Sequence, residues 1–356
     1  MTSTAEDREA LDQLYADFAR AGMMPLWTQR DDLMTTNPRP ATVPALWRWS
    51  TLYRLAERSG ELVPVGRGGE RRAIALANPG HPGLPYATPT LWAAIQYLGP
   101  REVAPAHRHT QTAFRFVVDG AGVWTNVDGD AVAMRRGDLL LTPSWHFHEH
   151  HNTTDKPMAW IDGLDIPLVS QLDAGFFEFG PDQLGSTATP RRSRNERLWG
   201  HPGLRPVAAG DQPNSPLMAY RWEHTDAGLS AQLELEEEGH LATVEPGHAA
   251  VRFTNPTTGK DALRTIRIEM HRYRAGTETA GVRVVGSAVW QVFEGSGVVH
   301  IADQRYELAK GDLFAVPSWA PLRVVTADGL DAFRFSDEPV YEALGLSRVE
   351  RLEGRP

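Results

Sequence analysis

The chain contains no cysteine in its 356 residues. Disulfides, thiolate metal ligands and a cysteine nucleophile are therefore excluded, and any metal must be held by nitrogen or oxygen. An apolar run long enough to span a bilayer is also missing. The N-terminal stretch MTSTAEDREALDQLY lacks the basic-then-apolar order of a secretory signal, so a cytoplasmic location is expected. No block of lysine and arginine occurs and the net charge is -9, which argues against nucleic acid as a partner.

What is present is globular: 41% hydrophobic and 23% charged residues, enough chain for two domains with buried cores. Leu11, Leu14, Tyr15 and Phe18 recur at helix spacing behind early acidic residues, which predicts an N-terminal helix. A second helix is expected from Pro44, with Leu46, Trp49, Leu52, Tyr53 and Ala56 as its apolar stripe and Gly60 at its end. From Arg71 the pattern changes to short β-forming stretches between Gly/Pro/Asp turns, the rhythm of an all-β barrel or sandwich. Residues Pro181 to Pro216, rich in Pro, Arg, Gly and Asn, read as a linker, and a second β-rich region runs from Ala242 to Phe335. The expected division is a helical segment (1–70), a first barrel (71–185), a linker and connecting segment (186–240), a second barrel (241–345) and a tail (346–356).

The two β regions repeat each other. Arg136-Gly-Asp-Leu-Leu-Leu-Thr-Pro-Ser-Trp145 matches Lys310-Gly-Asp-Leu-Phe-Ala-Val-Pro-Ser-Trp319 at an offset of 174, and Asp119-Gly-Ala-Gly122 matches Glu294-Gly-Ser-Gly297 at 175. Two matches at nearly one offset point to an internal duplication of one barrel.

The 13 histidines are clustered. His107-Arg-His109 precedes one strand, and His146, His148, His150 and His151 crowd another. Residues two apart on a strand share a face. His107 and His109 therefore point together, as do His146, His148 and His150. Neutral imidazoles at such spacing suit Fe(II), Mn, Ni, Cu or Zn. The offsets place Val282, Val284 and Leu322 opposite His107, His109 and His148, so the second barrel lacks these ligands.

Gly137-x5-Pro143-x4-His148-x3-Asn152 resembles the second cupin motif, with Trp145 where the pattern usually has glycine, and His107-x-His109 resembles the start of the first. The glutamate that normally follows is replaced around Ala113 and Phe114, so the resemblance implies three histidine ligands and no carboxylate. The fold expected is all-β dominated: a bicupin, two tandem double-stranded β-helix (jelly-roll) barrels with an N-terminal helical segment. The wider sequence resembles the gentisate 1,2-dioxygenase family and its salicylate and 1-hydroxy-2-naphthoate dioxygenase relatives. Leu91-Trp-Ala-Ala-Ile-Gln-Tyr-Leu-Gly-Pro100, Pro105-Ala-His-Arg-His-Thr-Gln111, Pro143-Ser-Trp-His-Phe-His-Glu-His150, Trp160-Ile-Asp-Gly-Leu-Asp-Ile-Pro167 and Asn255-Pro-Thr-Thr-Gly259 carry it. It implies an Fe(II) site that takes a 2-hydroxy aromatic acid and dioxygen, and a homotetramer. The reaction implied is ring cleavage between the carboxylate- and hydroxyl-bearing carbons.

Further candidates surround the three ligands. Arg115, six residues past His109, points to the ligand face and suits a substrate carboxylate; the plainer alternative is a structural ion pair. Arg71 is a second candidate clamp, or a solvated loop charge beside Arg72. Trp92, Ala94 and Gln96 share a face, as a wall, a gap for the ring and a hydrogen-bonding amide; the plainer alternative for Trp92 is core packing. By resemblance alone, Ala94 suits gentisate better than salicylate. His150 is an acid/base candidate. Asp162 is either the base for a second ring hydroxyl or an acceptor for a ligand imidazole. His146, His151 and Asn152 read as supporting or turn residues. The rival of another class is a cupin that binds a metal or ligand without catalysis, and a carboxylate clamp beside an open metal site argues against it.

Overall fold

The structure, a computed structural model, describes residues 5–29, 33–65, 69, 72–181, 184–185 and 191–352. It divides into two units, residues 1–40 and 41–356. In the first, the expected helix spans Ala5–Arg20, with Glu6 and Asp7 in the first turn and Arg20 in the last, each matched to the helix dipole. None of its residues is buried. Phe18 meets Trp27 edge to face at 6.0 Å.

The second unit is built from two copies of one strand plan. In the first copy, a six-stranded sheet holds Trp92–Leu98, Ala113–Asp119, Leu139–Thr142 and Met158–Leu164, and a five-stranded sheet holds Val103–His109, Ala121–Val127, Asp130–Arg135 and His148–Asn152. The second copy repeats both sheets with the same neighbours, for example Ala288–Gly295 between Leu313–Val316 and Leu330–Ser336. The six-stranded sheets share one core: Phe116 stacks on Phe333 at 3.9 Å and 6°, and Phe114 meets Phe335 edge to face at 4.9 Å. Burying a ring of this size contributes about 2 kcal/mol.

The duplicated Gly-Asp turns explain themselves here. Gly137 (φ +83°) and Gly311 (φ +90°) adopt the left-handed conformation open to glycine, and a Cβ at either would collide with the tryptophan laid over it, Trp222 or Trp49. Trp145 and Trp319, each three residues before the strand that opens at His148 or at Leu322, take the same conformation without being glycine (φ +67° and +64°). Their N–H groups donate to the carbonyls of His109 (2.9 Å) and Val284 (2.7 Å).

Two expectations need correction. The stretch after Pro44 is not helical at once: Ala45–Trp47 is an edge strand on Leu313–Val316, and the helix runs Trp49–Leu62. The edge of the second barrel offers paired backbone groups that local helical spacing does not register. Gly60 lies inside that helix, where a Cβ would stand 2.7 Å from the Tyr97 ring. The stretch read as a linker is also structured. Ser193 and Glu196 form a capping box for the helix Arg194–Trp199, and Glu196 is buried against Arg221.

Candidate active site

Strand alternation converges the three predicted ligands. His107 and His109 come from Val103–His109, and His148 opens the neighbouring strand opposite His107. Their rings lie 4.3 Å (His107–His148), 5.0 Å (His109–His148) and 5.7 Å (His107–His109) apart. Each Nδ1 meets a backbone carbonyl: Pro105 at 3.1 Å, Gln111 at 2.8 Å and His146 at 3.1 Å. A carbonyl only accepts, so each Nδ1 carries the proton and each Nε2 keeps its lone pair. One ligand atom from each residue lies within 4.8 Å of the other two. His148 Nε2 is buried without a hydrogen-bond partner, which is costly unless something binds it. Burial and the Arg115 guanidinium hold the His148 and His150 imidazoles well below their ordinary range, in the neutral form a metal requires. The donor set therefore fits a divalent transition ion.

A cavity of about 560 Å³ opens over these histidines, lined also by Trp92, Gln96, Arg115, His150 and Asp162. Arg115 is buried, and burial pushes its guanidinium below the usual value, with Asp162 opposing. Its Nη1 donates to Thr142, while Nε lies 3.6 Å from Asp162 Oδ1 and forms no hydrogen bond. Asp162 is pushed up to about 6 by burial, against the pull of Arg115 and the Trp160 indole N–H, which donates to Oδ1 at 3.0 Å. His150 shares the His148 face, as predicted. Thr125 directs its hydroxyl proton toward Met134 Sδ at 3.3 Å, so its oxygen accepts from His150 Nδ1 at 2.9 Å. His150 Nε2 is then an acceptor.

Not every candidate joins the cavity. Ala94 is fully buried, paired with Asp162 across the sheet, and is not among the lining residues. Arg71 lies outside the described residues. Its neighbour Arg72 is buried and committed to Glu102. His146 does not share the His148 face; it precedes the strand and turns to Asp128 at 2.5 Å. His151 stacks on Trp124 at 4.0 Å, and Asn152 ties the carbonyls of Gly99 and Lys156. Sequence reasoning missed Phe176 and Phe177 at the cavity wall, with the Phe177 ring stacked over His107 at 5.5 Å. It also missed Ala73 and Leu164. Leu164 was accessible from alternation with Asp162, whereas the Phe177 edge strand depends on pairing with a distant segment.

The second barrel places other side chains at the equivalent positions. Val282 pairs with Leu322 as His107 pairs with His148. His271 stands where the first barrel has Gln96, Trp290 where it has Arg115, and Arg334 where it has Asp162. There His271 Nδ1 and His248 Nε2 share a 2.9 Å hydrogen bond, and Arg334 is held by Glu269 and Glu338. Among the described residues, His107, His109 and His148 are the one group of three or more with metal-binding spacing.

Known proteins resemble this chain along its length. The family model for the cupin domain matches residues 94–166. A gentisate 1,2-dioxygenase of Streptomyces sp. is 72% identical over 99% of this chain and 98% of its own length. A 5-aminosalicylate 1,2-dioxygenase of Comamonas sp. is 36% identical over 96% and 90%. The crystal structure of salicylate 1,2-dioxygenase from Pseudoaminobacter salicylatoxidans as an adduct with gentisate superposes with a TM-score of 0.95 and 58% identity, covering 100% of this chain and 96% of that one. With identity of this level along the full chain and a matching bicupin fold, the chain belongs to the gentisate 1,2-dioxygenase family of ring-cleaving dioxygenases.

Proposed function

We propose that this protein cleaves gentisate (2,5-dihydroxybenzoate) with dioxygen, between the carboxylate- and hydroxyl-bearing carbons, to give maleylpyruvate, with Fe(II) held by His107, His109 and His148. The observation that carries this reading is Arg115: a buried guanidinium with an unmatched Nε, in the wall of a cavity above three converging imidazoles. A buried cation so placed calls for an anion, and a carboxylate matches its fork. Fe(II) held by His107, His109 and His148 would supply the Lewis acidity and redox chemistry that bring a chelating hydroxy acid and dioxygen to reaction.

The side chains have separable tasks. Arg115 binds and orients the carboxylate, with Arg71 as a second clamp. Trp92 walls the ring and Gln96 hydrogen-bonds it. His150 Nε2 accepts the hydrogen bond of the ring hydroxyl ortho to the carboxylate and holds its proton. Asp162 takes the proton of the hydroxyl para to it, which pushes electron density into the ring. A homotetramer accompanies this proposal through the family resemblance.

The test is anaerobic loading with Fe(II), addition of gentisate and air, and parallel measurement of oxygen uptake and ring-opened product. One dioxygen consumed per gentisate is expected. No uptake with gentisate, salicylate or 1-hydroxy-2-naphthoate would sink the reading.

A further inference from the structure

The second barrel lacks the ligand histidines, yet it reaches the ligand set of the first. Thr265, ahead of the strand Arg267–Tyr273, donates its hydroxyl to Asp165 Oδ2 at 2.6 Å. Asp165 is buried, and its Oδ1 accepts from the Thr112 N–H at 2.9 Å. That N–H belongs to the same peptide unit as the Gln111 carbonyl, which accepts from His109 Nδ1 at 2.8 Å. A peptide unit is planar and rigid, so fixing the direction of its N–H fixes the opposed C=O. Donation to a carboxylate also polarises the unit and strengthens its carbonyl as an acceptor.

The same device recurs at a second ligand. The peptide unit joining His146 and Phe147 accepts from His148 Nδ1 and donates its N–H to Asp128 Oδ1 at 3.0 Å. There the carboxylate comes from the first barrel itself and is half exposed. At His109 the carboxylate is buried and is held from the other barrel.

We propose that Thr265 is a positioning residue for the metal ligand His109, acting through Asp165 and the Gln111–Thr112 peptide unit, so that the second barrel sets the metal affinity of the first. The inference rests on the reading that the three histidines hold a metal. The duplication supplies its control. Thr90 of the first barrel donates to Asp337 Oδ2, and Asp337 Oδ1 accepts from the Ser287 N–H at 2.7 Å. This is the same latch run in the opposite direction, but the residue in the place of His109 is Val284. Asp337 Oδ2 also accepts from the Ser287 hydroxyl at 2.8 Å, whereas the Thr112 hydroxyl is unpartnered, so Asp165 depends more heavily on its threonine.

The experiment uses the full chain with Co(II) as the probe. Affinity is read by competition with a chromophoric chelator, ligand geometry by the visible absorption of bound Co(II), and folding by circular dichroism. Thr265→Val is expected to weaken Co(II) about tenfold, the lower end for loss of an outer hydrogen-bond partner, and to alter the Co(II) spectrum. Thr265→Ser restores both. Thr90→Val lowers the unfolding midpoint without moving either metal readout. Wild-type affinity and spectrum in Thr265→Val, or an equal loss in Thr90→Val, overturns the proposal. Should Thr265→Val fail to fold, Thr265→Ala carries the same comparison. Wild-type protein that binds no Co(II) refutes the metal reading itself, an outcome distinct from a wild type that binds and a Thr265→Val that binds as well.

Discussion

Arg221 donates to Asp138 at 2.5 Å, and in doing so ties the segment between the barrels to the Gly-Asp turn of the first. Arg48, 173 positions earlier, does the same to Asp312 of the second barrel at 2.7 Å. In both places the next tryptophan donates its N–H to the other carboxylate oxygen at 3.0 Å. The N-terminal arm therefore serves the C-terminal barrel, and the central arm serves the N-terminal one. Each copy of the duplicated unit is completed by a segment lying before the other.

The two arginines differ in surroundings, and their removal should differ too. Arg221 is buried and also holds Glu196 through two hydrogen bonds, whereas Arg48 is half exposed. Arg221→Ala leaves two buried carboxylates without a cation and should cost about 3–5 kcal/mol. Arg48→Ala should cost about 1 kcal/mol. Urea denaturation of both variants checks the order; equal losses would refute the argument from burial.

Arg115→Ala should keep the metal and lose its hold on the substrate. A charge-assisted hydrogen bond contributes about 1.5–3 kcal/mol, so KM for gentisate should rise about tenfold to a hundredfold. Metal content by elemental analysis should match wild type. Unchanged kinetics would remove Arg115 from the role of clamp.

Asp162 can act as a base only when ionised, and burial pushes it up to about 6. Activity should fall as pH drops through an acid limb at or below about 6, since a bound cation's charge pulls the carboxyl downward. Asp162→Asn should lower kcat and flatten that limb. A limb that persists unchanged in the variant would assign it to another group.

His271 makes the second barrel acid-sensitive. Burial lowers it to about 4, with Glu269 opposing and His248 and Arg334 adding to the shift. The unfolded chain binds this proton near 6.5. The contribution is complete above pH 6.5 and is lost as pH falls toward 4, amounting to about 3 kcal/mol. Other groups titrate in this window, so the comparison is with His271→Gln, which carries the residue of the equivalent Gln96 position. The variant should lose less stability than wild type between pH 6.5 and 4; parallel curves would contradict the assignment.

Much of the site was legible in the residues alone because it rests on period-two alternation and on an internal repeat. His107, His109, His148, His150, Trp92 and Gln96 sit where strand alternation puts them, and Val282, Val284 and Leu322 mark the second barrel as lacking the ligand set. Alternation assigns a face within one strand, a local property. It says nothing about which distant segment completes a sheet edge or reaches into a turn. Closure of the tertiary structure alone put the Phe177 ring over His107, turned His146 to Asp128, paired Ala45–Trp47 with the far barrel and ran Thr265 to Asp165. The amino-acid sequence determined the three imidazoles and their common face; long-range pairing decided what holds each imidazole in its orientation.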